Sequence, residues 1–126
     1  MPSNAPEHAV SVPGGKAVRA PLGSVVDARS GDKGGDANVG LWTRNAEAYA
    51  WLLQHLSVDR LKELLPEAKE LKVERYEFPK LHAVNFVIRG LLQGGAVATL
   101  RFDRQAKALG EFLRARNVDV PEILVR

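Results

Sequence analysis

The densest group of polar residues in the chain is the string Arg29-Ser-Gly-Asp-Lys-Gly-Gly-Asp-Ala-Asn38, which lies between two short apolar runs. Glycine can adopt positive φ, so the glycines of this string can bring successive backbone amides together in an anion-binding nest. Arg29 and Lys33 would add positive charge, which suits a phosphate or a carboxylate. The string is therefore predicted to be a polar, glycine-rich loop that binds an anionic group.

The same string permits two other interpretations. Oxygen atoms of Asp32, Asp36 and Asn38 could instead bind a hard cation or position Lys33 by ion pairing, and this use competes electrostatically with anion binding. Alternatively, the string is a long hairpin connection, because turns favour the same glycine, aspartate and asparagine residues. It lacks the spacing of a Walker loop and of a dinucleotide fingerprint, so it does not indicate an ATPase.

Few other residues suit catalysis. The chain contains no cysteine, which excludes disulfides, thiolate metal sites and cysteine nucleophiles. No two histidines are spaced as metal ligands, so no metal site is predicted, and His82 is more simply a surface histidine than a general base. If the chain is an enzyme, Asp32 or Asp36 could serve as its base, with Lys33 and backbone amides stabilising an oxyanion. Whether the chain is an enzyme stays open.

Hydrophobic spacing predicts the elements that must position this string. A period of 3.6 predicts one helix after Asn45 and a shorter one after Ser57, since both residues are favourable N-caps. A period of two predicts strands over Leu71–Phe78 and His82–Arg89. The other predicted elements are a strand over Leu22–Arg29, a strand over Val39–Trp42, a strand or post-bulge continuation over Val97–Phe102, a helix after Asp103 and an edge strand over Val118–Val125.

This order predicts an α+β fold: a ferredoxin-like sandwich with a mostly antiparallel sheet, helices on one face and an extra N-terminal strand. Residues 1–20 carry prolines and glycines without a sustained apolar period and are predicted to form a flexible tail. Residues 21–126 are predicted to form a single domain, which is an ordinary size for one hydrophobic core.

The composition of the chain limits the classes of partner that can be expected. The formal net charge of the 126 residues is only +3, and the basic residues are spread singly, which argues against nucleic acid. Aromatic residues on the predicted strands could stack on RNA bases, but the stretch around Phe86 lacks the RNA-binding consensus. No apolar run is long enough to span a membrane and no signal peptide is visible, so a cytoplasmic location is expected. The aromatic residues in question are Trp42, Tyr76, Phe78 and Phe86.

Two motifs carry a family resemblance. The string from Arg29, extended through Val-Gly-Leu to Trp42, and the later string Asn85-Phe-Val-Ile-Arg-Gly-Leu-Leu92 together resemble the ferredoxin-like module of acyclic terpene utilisation (AtuA-like) proteins. The resemblance covers roughly residues 21–116. In that family the module is either fused behind a large domain or occurs as a separate small protein, and this chain resembles the separate form.

The resemblance implies a role in the catabolism of acyclic terpenes and branched acids, whose substrates are handled as coenzyme A thioesters. It implies no defined reaction and no resident cofactor. The implied partners are a large AtuA-like subunit, further copies of the chain, or both, with a coenzyme A thioester as an anionic ligand. The residues that carry over as ligand-binding or interface positions are Arg29, Ser30, Gly31, Asp32, Lys33, Gly34, Gly35, Asp36, Asn38, Asn85 and Arg89.

These observations lead to three functional hypotheses. The first is a small accessory subunit that contributes the glycine-rich loop to a site shared with a large AtuA-like subunit, and it predicts an exposed apolar patch on the sheet or a helix. The second is a self-sufficient enzyme acting on acyl thioesters, which requires a carboxylate with a raised pKa. The third is a non-catalytic module that forms homo-oligomers or binds RNA.

Overall fold

The computed structural model describes residues 16–91 and 108–126. Most of the predicted tail, the predicted strand over Val97–Phe102 and the predicted N-cap Asp103 lie outside the described residues. The strands are β1 (Ala17–Pro21), β2 (Asp27–Lys33), β3 (Asp36–Trp42), β4 (Val73–Phe78), β5 (Ala83–Ile88) and β6 (Asn117–Pro121), and the α-helices are α1 (Ala46–His55), α2 (Val58–Leu64) and α3 (Leu109–Arg114).

Four strands form the main sheet in the order β2-β3-β5-β4, and all neighbouring strands are antiparallel. Because β5 is antiparallel to both β3 and β4, those two strands are parallel to each other and are joined by the crossover through α1 and α2. Strand β5 lies between β3 and β4 and pairs with both. This is the split β-α-β arrangement, with β2 as the additional N-terminal strand, so the predicted α+β ferredoxin-like fold is confirmed.

One face of the main sheet is buried under the helices. Val39 and Leu41 on β3 and Val84, Phe86 and Ile88 on β5 are completely buried. Leucines of all three helices are completely buried in the same core, among them Leu52, Leu61, Leu109 and Leu113. The alternation of buried and half-buried residues along β3 and β5 places every second side chain on the opposite face.

The first two helices, α1 and α2, begin where the sequence predicts. The Asn45 side chain accepts a hydrogen bond of 2.8 Å from the Ala48 amide, and the Ser57 side chain accepts one of 3.0 Å from the Arg60 amide. Each cap satisfies an amide that the first helical turn leaves unpaired. The end of α1 is held differently, because the Arg75 guanidinium on β4 donates to the carbonyl oxygens of Leu53 and Leu56, at 3.0 Å each.

The N-terminal boundaries differ from prediction. Residues 17–20, expected to belong to the tail, are part of β1, which pairs with β6 in a separate two-stranded sheet. Leu22–Ser24, expected to begin the first strand, is a short 3₁₀ helix, and β2 starts only at Asp27. Leu22, Val25 and Val26 are nevertheless buried, so their apolar character reflects core packing around a turn rather than a strand period. Within the described ranges, no helix is long and apolar enough to cross a membrane.

Candidate functional site

The glycine-rich string is a strand pair rather than a loop, which corrects the sequence prediction. β2 continues to Lys33 and β3 begins at Asp36, so the turn consists of Gly34 and Gly35. Gly34 has φ of 65°, which suits the first central position of a type II′ hairpin turn. Gly31 lies inside the ladder opposite Asn38. The expected convergence of successive amides in a nest is therefore not observed, and any binding role falls to the side chains.

Most of those side chains lie on one surface, the open face, which is the face of the main sheet opposite the helices. Directly paired residues of antiparallel strands share a face, so the strand registers define its members. One row across the sheet consists of Arg29, Gly40, Asn85 and Tyr76, and the next consists of Gly31, Asn38, Val87 and Glu74. The two motifs of the sequence, far apart along the chain, are thus adjacent in space.

The middle of the open face is a shallow polar surface. Gly31 and Gly40 contribute no side chains there, and neither has the positive φ that would require glycine. A Cβ atom at Gly40 would stand 3.5 Å from Asn85 Oδ1, which is an ordinary contact, so nothing in the described residues demands glycine at this position. Glycine inside a strand is otherwise unfavourable and marks places where another backbone or a ligand approaches closely.

One end of the open face is charged. The Asp36 carboxylate accepts a hydrogen bond of 2.9 Å from Arg89 Nη1 and one of 2.7 Å from the Gly90 amide. Arg89 Nη2 donates to Glu74 Oε1 at 3.0 Å, and the Tyr76 hydroxyl donates to the same oxygen at 2.8 Å. The structure thereby brings together Asp36 and Arg89, which the two motifs indicated separately, and connects them to β4.

These contacts lower the pKa of Asp36. The hydrogen bond from the Gly90 amide and that from Arg89 both favour the ionised carboxylate, so its pKa lies below the ordinary value of 3.8. The pKa of Glu74 is lowered in the same way, by the Tyr76 hydroxyl first and by Arg89 second. Carboxylates of this kind are ion-pairing groups, whereas a general base acting near neutral pH needs a raised pKa.

We expect the Asp36 contacts to make the free energy of unfolding decrease as the pH becomes acidic. Because the folded pKa is lowered, the contribution of Asp36 is fully present above the unfolded pKa and is lost as pH falls below about 4. Urea unfolding from neutral pH down to about pH 3 should show a smaller acid loss of stability in Asp36→Asn than in the wild type. Parallel curves for the two proteins through the acid range would contradict this prediction.

The other end of the open face exposes large aromatic side chains. Trp42 lies at the end of β3, and Phe78 lies on β4 in the same row, with Ala83 between them. Trp42 is 37% exposed, Phe78 45% and the neighbouring Tyr76 46%, which is unusual for side chains of this size. The exposed apolar patch expected of an accessory subunit is thus present on the sheet. Phe86, expected among the base-stacking residues, belongs instead to the buried core.

Ser30 and Asp32 are members of the first motif that do not face this surface. The strand alternation places them on the helix side, where the Ser30 hydroxyl accepts a hydrogen bond of 2.8 Å from the Gly110 amide. Gly110 lies in the first turn of α3, and Ala108 before that helix provides no side-chain cap. Ser30 therefore acts as an N-terminal cap supplied from a neighbouring strand, which gives it a structural role.

We expect Ser30→Ala to lower the free energy of unfolding by about 1–2 kcal/mol, because an amide of the first turn of α3 loses its acceptor. Chemical denaturation measures this change. Binding at the open face should stay at the wild-type level, since Ser30 is on the other side of the sheet. A variant as stable as the wild type would show that water or another group replaces the hydroxyl at no cost.

Several open-face residues were not singled out by the sequence as site residues. The contact between Glu74 and Arg89 depends on the pairing of β4 with β5, which the sequence does not show. The place of Gly40 at the centre of the open face is likewise known only from its pairing with Asn85. The usable signal was the period of two, which puts Glu74, Tyr76 and Phe78 on one side of β4. No group of His, Asp or Glu side chains among the described residues could hold a metal ion.

The fold and the site place this chain in the ferredoxin-like class of α+β proteins, with most of its motif residues on the open face of the main sheet. Comparison with family models gives the narrower assignment. A model of the AtuA ferredoxin-like domain matches residues 20–119, a span that contains the entire open face, and the chain therefore belongs to that family. No curated protein and no solved structure was found to match.

Proposed function

We propose that this chain is an accessory subunit that binds a large AtuA-like subunit through the open face, and that the two chains together hold an anionic ligand, a coenzyme A thioester. The observation that carries the proposal is the meeting of both family motifs on this one face. Asp36 and Arg89 are 53 residues apart and form a direct ion pair there. A face used only for folding would not need motif residues such as Asn38 and Asn85, whose side chains form no hydrogen bond with the described residues.

The partner contact is supported by the aromatic end of the open face. Protein interfaces are enriched in tryptophan, tyrosine and phenylalanine near their centres. Trp42, Tyr76 and Phe78 expose large apolar surfaces beside the half-buried side chains of Asn38 and Asn85. Neither amide side chain forms a hydrogen bond with another described residue that would occupy it, so both suit polar contacts with a second molecule.

The anionic ligand is supported by Arg29. This residue is exposed beside Gly40, and it makes no ion pair with any of the described residues. Arg89, by contrast, already contacts two carboxylates, which leaves little of its charge for a ligand. Between Arg29 and Arg89, Arg29 is therefore the side chain better suited to a phosphate or a thioester carbonyl.

The test is co-purification of the tagged chain with a large AtuA-like protein of the same organism, followed by mass spectrometry of retained thioesters. We expect the wild type to retain both, and Arg29→Ala to retain the protein partner but at least about tenfold less thioester. Arg19→Ala, which alters an exposed arginine on β1, is the matched control. Retention of neither protein nor thioester by the wild type would refute the proposal.

A second candidate function is binding of single-stranded RNA. The exposed Trp42, Tyr76 and Phe78 on an uncovered sheet favour it, because bases stack on aromatic side chains in this geometry. The acidic Asp36 and Glu74 on the same face oppose it, since they repel phosphates. Retention of RNA that falls steeply with added salt would identify this function instead.

A further inference from the structure

The outer side of β4 has a defined set of backbone groups available for pairing. The Arg89 amide donates to the Lys72 carbonyl at 2.9 Å, so Lys72 and Arg89 form a hydrogen-bonded pair at the start of the β4–β5 ladder. Hydrogen-bonded pairs alternate along an antiparallel ladder. Glu74, Tyr76 and Phe78 therefore direct their amides and carbonyls toward β5, and those of Val73, Arg75 and Glu77 point outward.

Within the part of the chain that the structure describes, no segment covers this edge and no bulge or proline interrupts it. Among the described residues, no strand pairs with the outer side of β4. The strand reads Val-Glu-Arg-Tyr-Glu-Phe, with no proline, glycine or bulge to interrupt it. Its charged side chains are already engaged within the domain, because Glu74 binds Arg89, and Arg75 binds the end of α1 and Glu77. A second strand can therefore approach without leaving a charge unpaired.

We propose that a second copy of this chain pairs with β4 along this edge, antiparallel and related by a two-fold axis at Tyr76. This proposal does not depend on the proposed function. In this register, Arg75 and Glu77 of one copy lie opposite Glu77 and Arg75 of the other and exchange backbone hydrogen bonds with them. The outward groups derived above are the ones that this pairing requires.

Charge complementarity selects this register over its neighbours. Paired residues must share a face, and side chains alternate between faces along a strand. The register can therefore shift only in steps of two residues. One such shift places Arg75 opposite the second copy's Arg75, and the opposite shift places Glu77 opposite the second copy's Glu77. Both juxtapose like charges, which destabilises strand pairing. Centring on Tyr76 instead puts opposite charges together on both sides of the axis.

The dimer would join two main sheets into one continuous sheet and bring the aromatic ends of the two open faces side by side. Tyr76 would lie beside its own counterpart, with Phe78 of each copy opposite Glu74 of the other. Edge pairing buries less surface than the roughly 1,600 Å² of a typical stable complex. The association is therefore expected to be reversible and to depend on concentration.

The experiment measures the purified full-length chain by sedimentation velocity and by amide hydrogen exchange over a wide concentration range. The expected result is a monomer–dimer equilibrium in which exchange at Val73, Arg75 and Glu77 slows as concentration rises. Exchange at Glu74, Tyr76 and Phe78 should be slow at every concentration, because those amides are paired with β5. The alternation is a signature that an interface elsewhere on the molecule would not produce.

Two variants at one exposed position test the backbone pairing. Glu77→Pro removes an outward amide without removing a β4–β5 hydrogen bond, and it should raise the dimer dissociation constant at least tenfold. Glu77→Ala keeps that amide and should raise the constant far less, while losing the same side chain. Circular dichroism and thermal unfolding establish that each variant is folded, and the exchange experiment on the wild type applies even if Glu77→Pro does not fold.

Three results would overturn the proposal. The first is a monomer at every concentration, whether the three outward amides exchange quickly or are protected by the chain's own residues. The second is a dimer in which exchange at those amides does not change with concentration, which would identify another interface. The third is a folded Glu77→Pro variant that dimerises as strongly as Glu77→Ala.

Discussion

Replacing Arg75 with methionine is expected to lower the free energy of unfolding by about 2–4 kcal/mol. The guanidinium donates to the carbonyl oxygens of Leu53 and Leu56, which belong to the last turn of α1 and its C-cap. The last carbonyls of a helix have no partner within the helix, and the Arg75 side chain is only 18% exposed, so water cannot freely replace the lost donors. Methionine keeps much of the length and apolar stem, which isolates the hydrogen bonds from packing.

Glu77→Gln is the control for this prediction. It removes only the charge that pairs with Arg75. The Glu77 side chain is 48% exposed, and an ion pair of this kind contributes about 0–1 kcal/mol to stability. Urea unfolding at neutral pH should therefore separate the two variants clearly, with similar dependence on denaturant. If Arg75→Met unfolds within about 0.5 kcal/mol of Glu77→Gln, the cross-link between β4 and α1 does not stabilise the fold as argued.

The helices and the central strands could be predicted because local chemistry and tertiary packing agree there. Asn45 and Ser57 are strong caps placed directly before apolar residues at helical spacing, and both act as caps in the structure. Val84, Phe86 and Ile88 alternate with half-buried residues and form the buried side of β5. In each case the spacing of the apolar residues in the sequence matches the spacing of the buried side chains, so the hydrophobic period identifies the element.

The extension of β2 and β3 through the glycine-rich string could not be predicted, because the local chemistry of the string opposes an extended structure. Glycine, aspartate and lysine are poor strand formers, so the string around Gly31 and Asp32 is typical of a loop. Pairing with β3, which is itself held by β5, and packing of α3 against Ser30 keep these residues extended. This stabilisation comes from residues distant in sequence, which local propensity does not contain.

Predicting which residues form the open face also requires knowledge of the strand order in the sheet. Both motifs were visible as strings, and the residues Arg29, Asn38, Asn85 and Arg89 were identified from them. Their juxtaposition depends on β5 lying beside β3, with β4 on its far side, a fact that hydrophobic periods do not determine. The sequence therefore indicated which residues to examine, whereas the strand register showed that Ser30 and Asp32 belong to the other side.

Gly40→Val is expected to weaken binding to the proposed partner at least tenfold while leaving the fold intact. A Cβ atom at this position meets only ordinary contacts, the nearest being Asn85 Oδ1 at 3.5 Å and the Arg29 carbonyl oxygen at 3.9 Å. Valine is also a better strand former than glycine, so the free energy of unfolding should stay within about 1 kcal/mol of the wild type. The added side chain would project from the centre of the open face, where the proposed partner would approach.

The measurement is the affinity for the large AtuA-like subunit, by titration calorimetry or surface binding, with unfolding measured on the same samples. We expect Gly40→Val to weaken binding at least tenfold, which corresponds to about 1.4 kcal/mol, and Gly40→Ala to have an intermediate effect. Ala17→Ile adds the same number of carbon atoms to an exposed strand position in the other sheet and should bind as the wild type does. Wild-type affinity in a folded Gly40→Val variant would show that the partner does not contact the middle of the open face, since a close approach of two surfaces cannot accommodate an isopropyl group in that position.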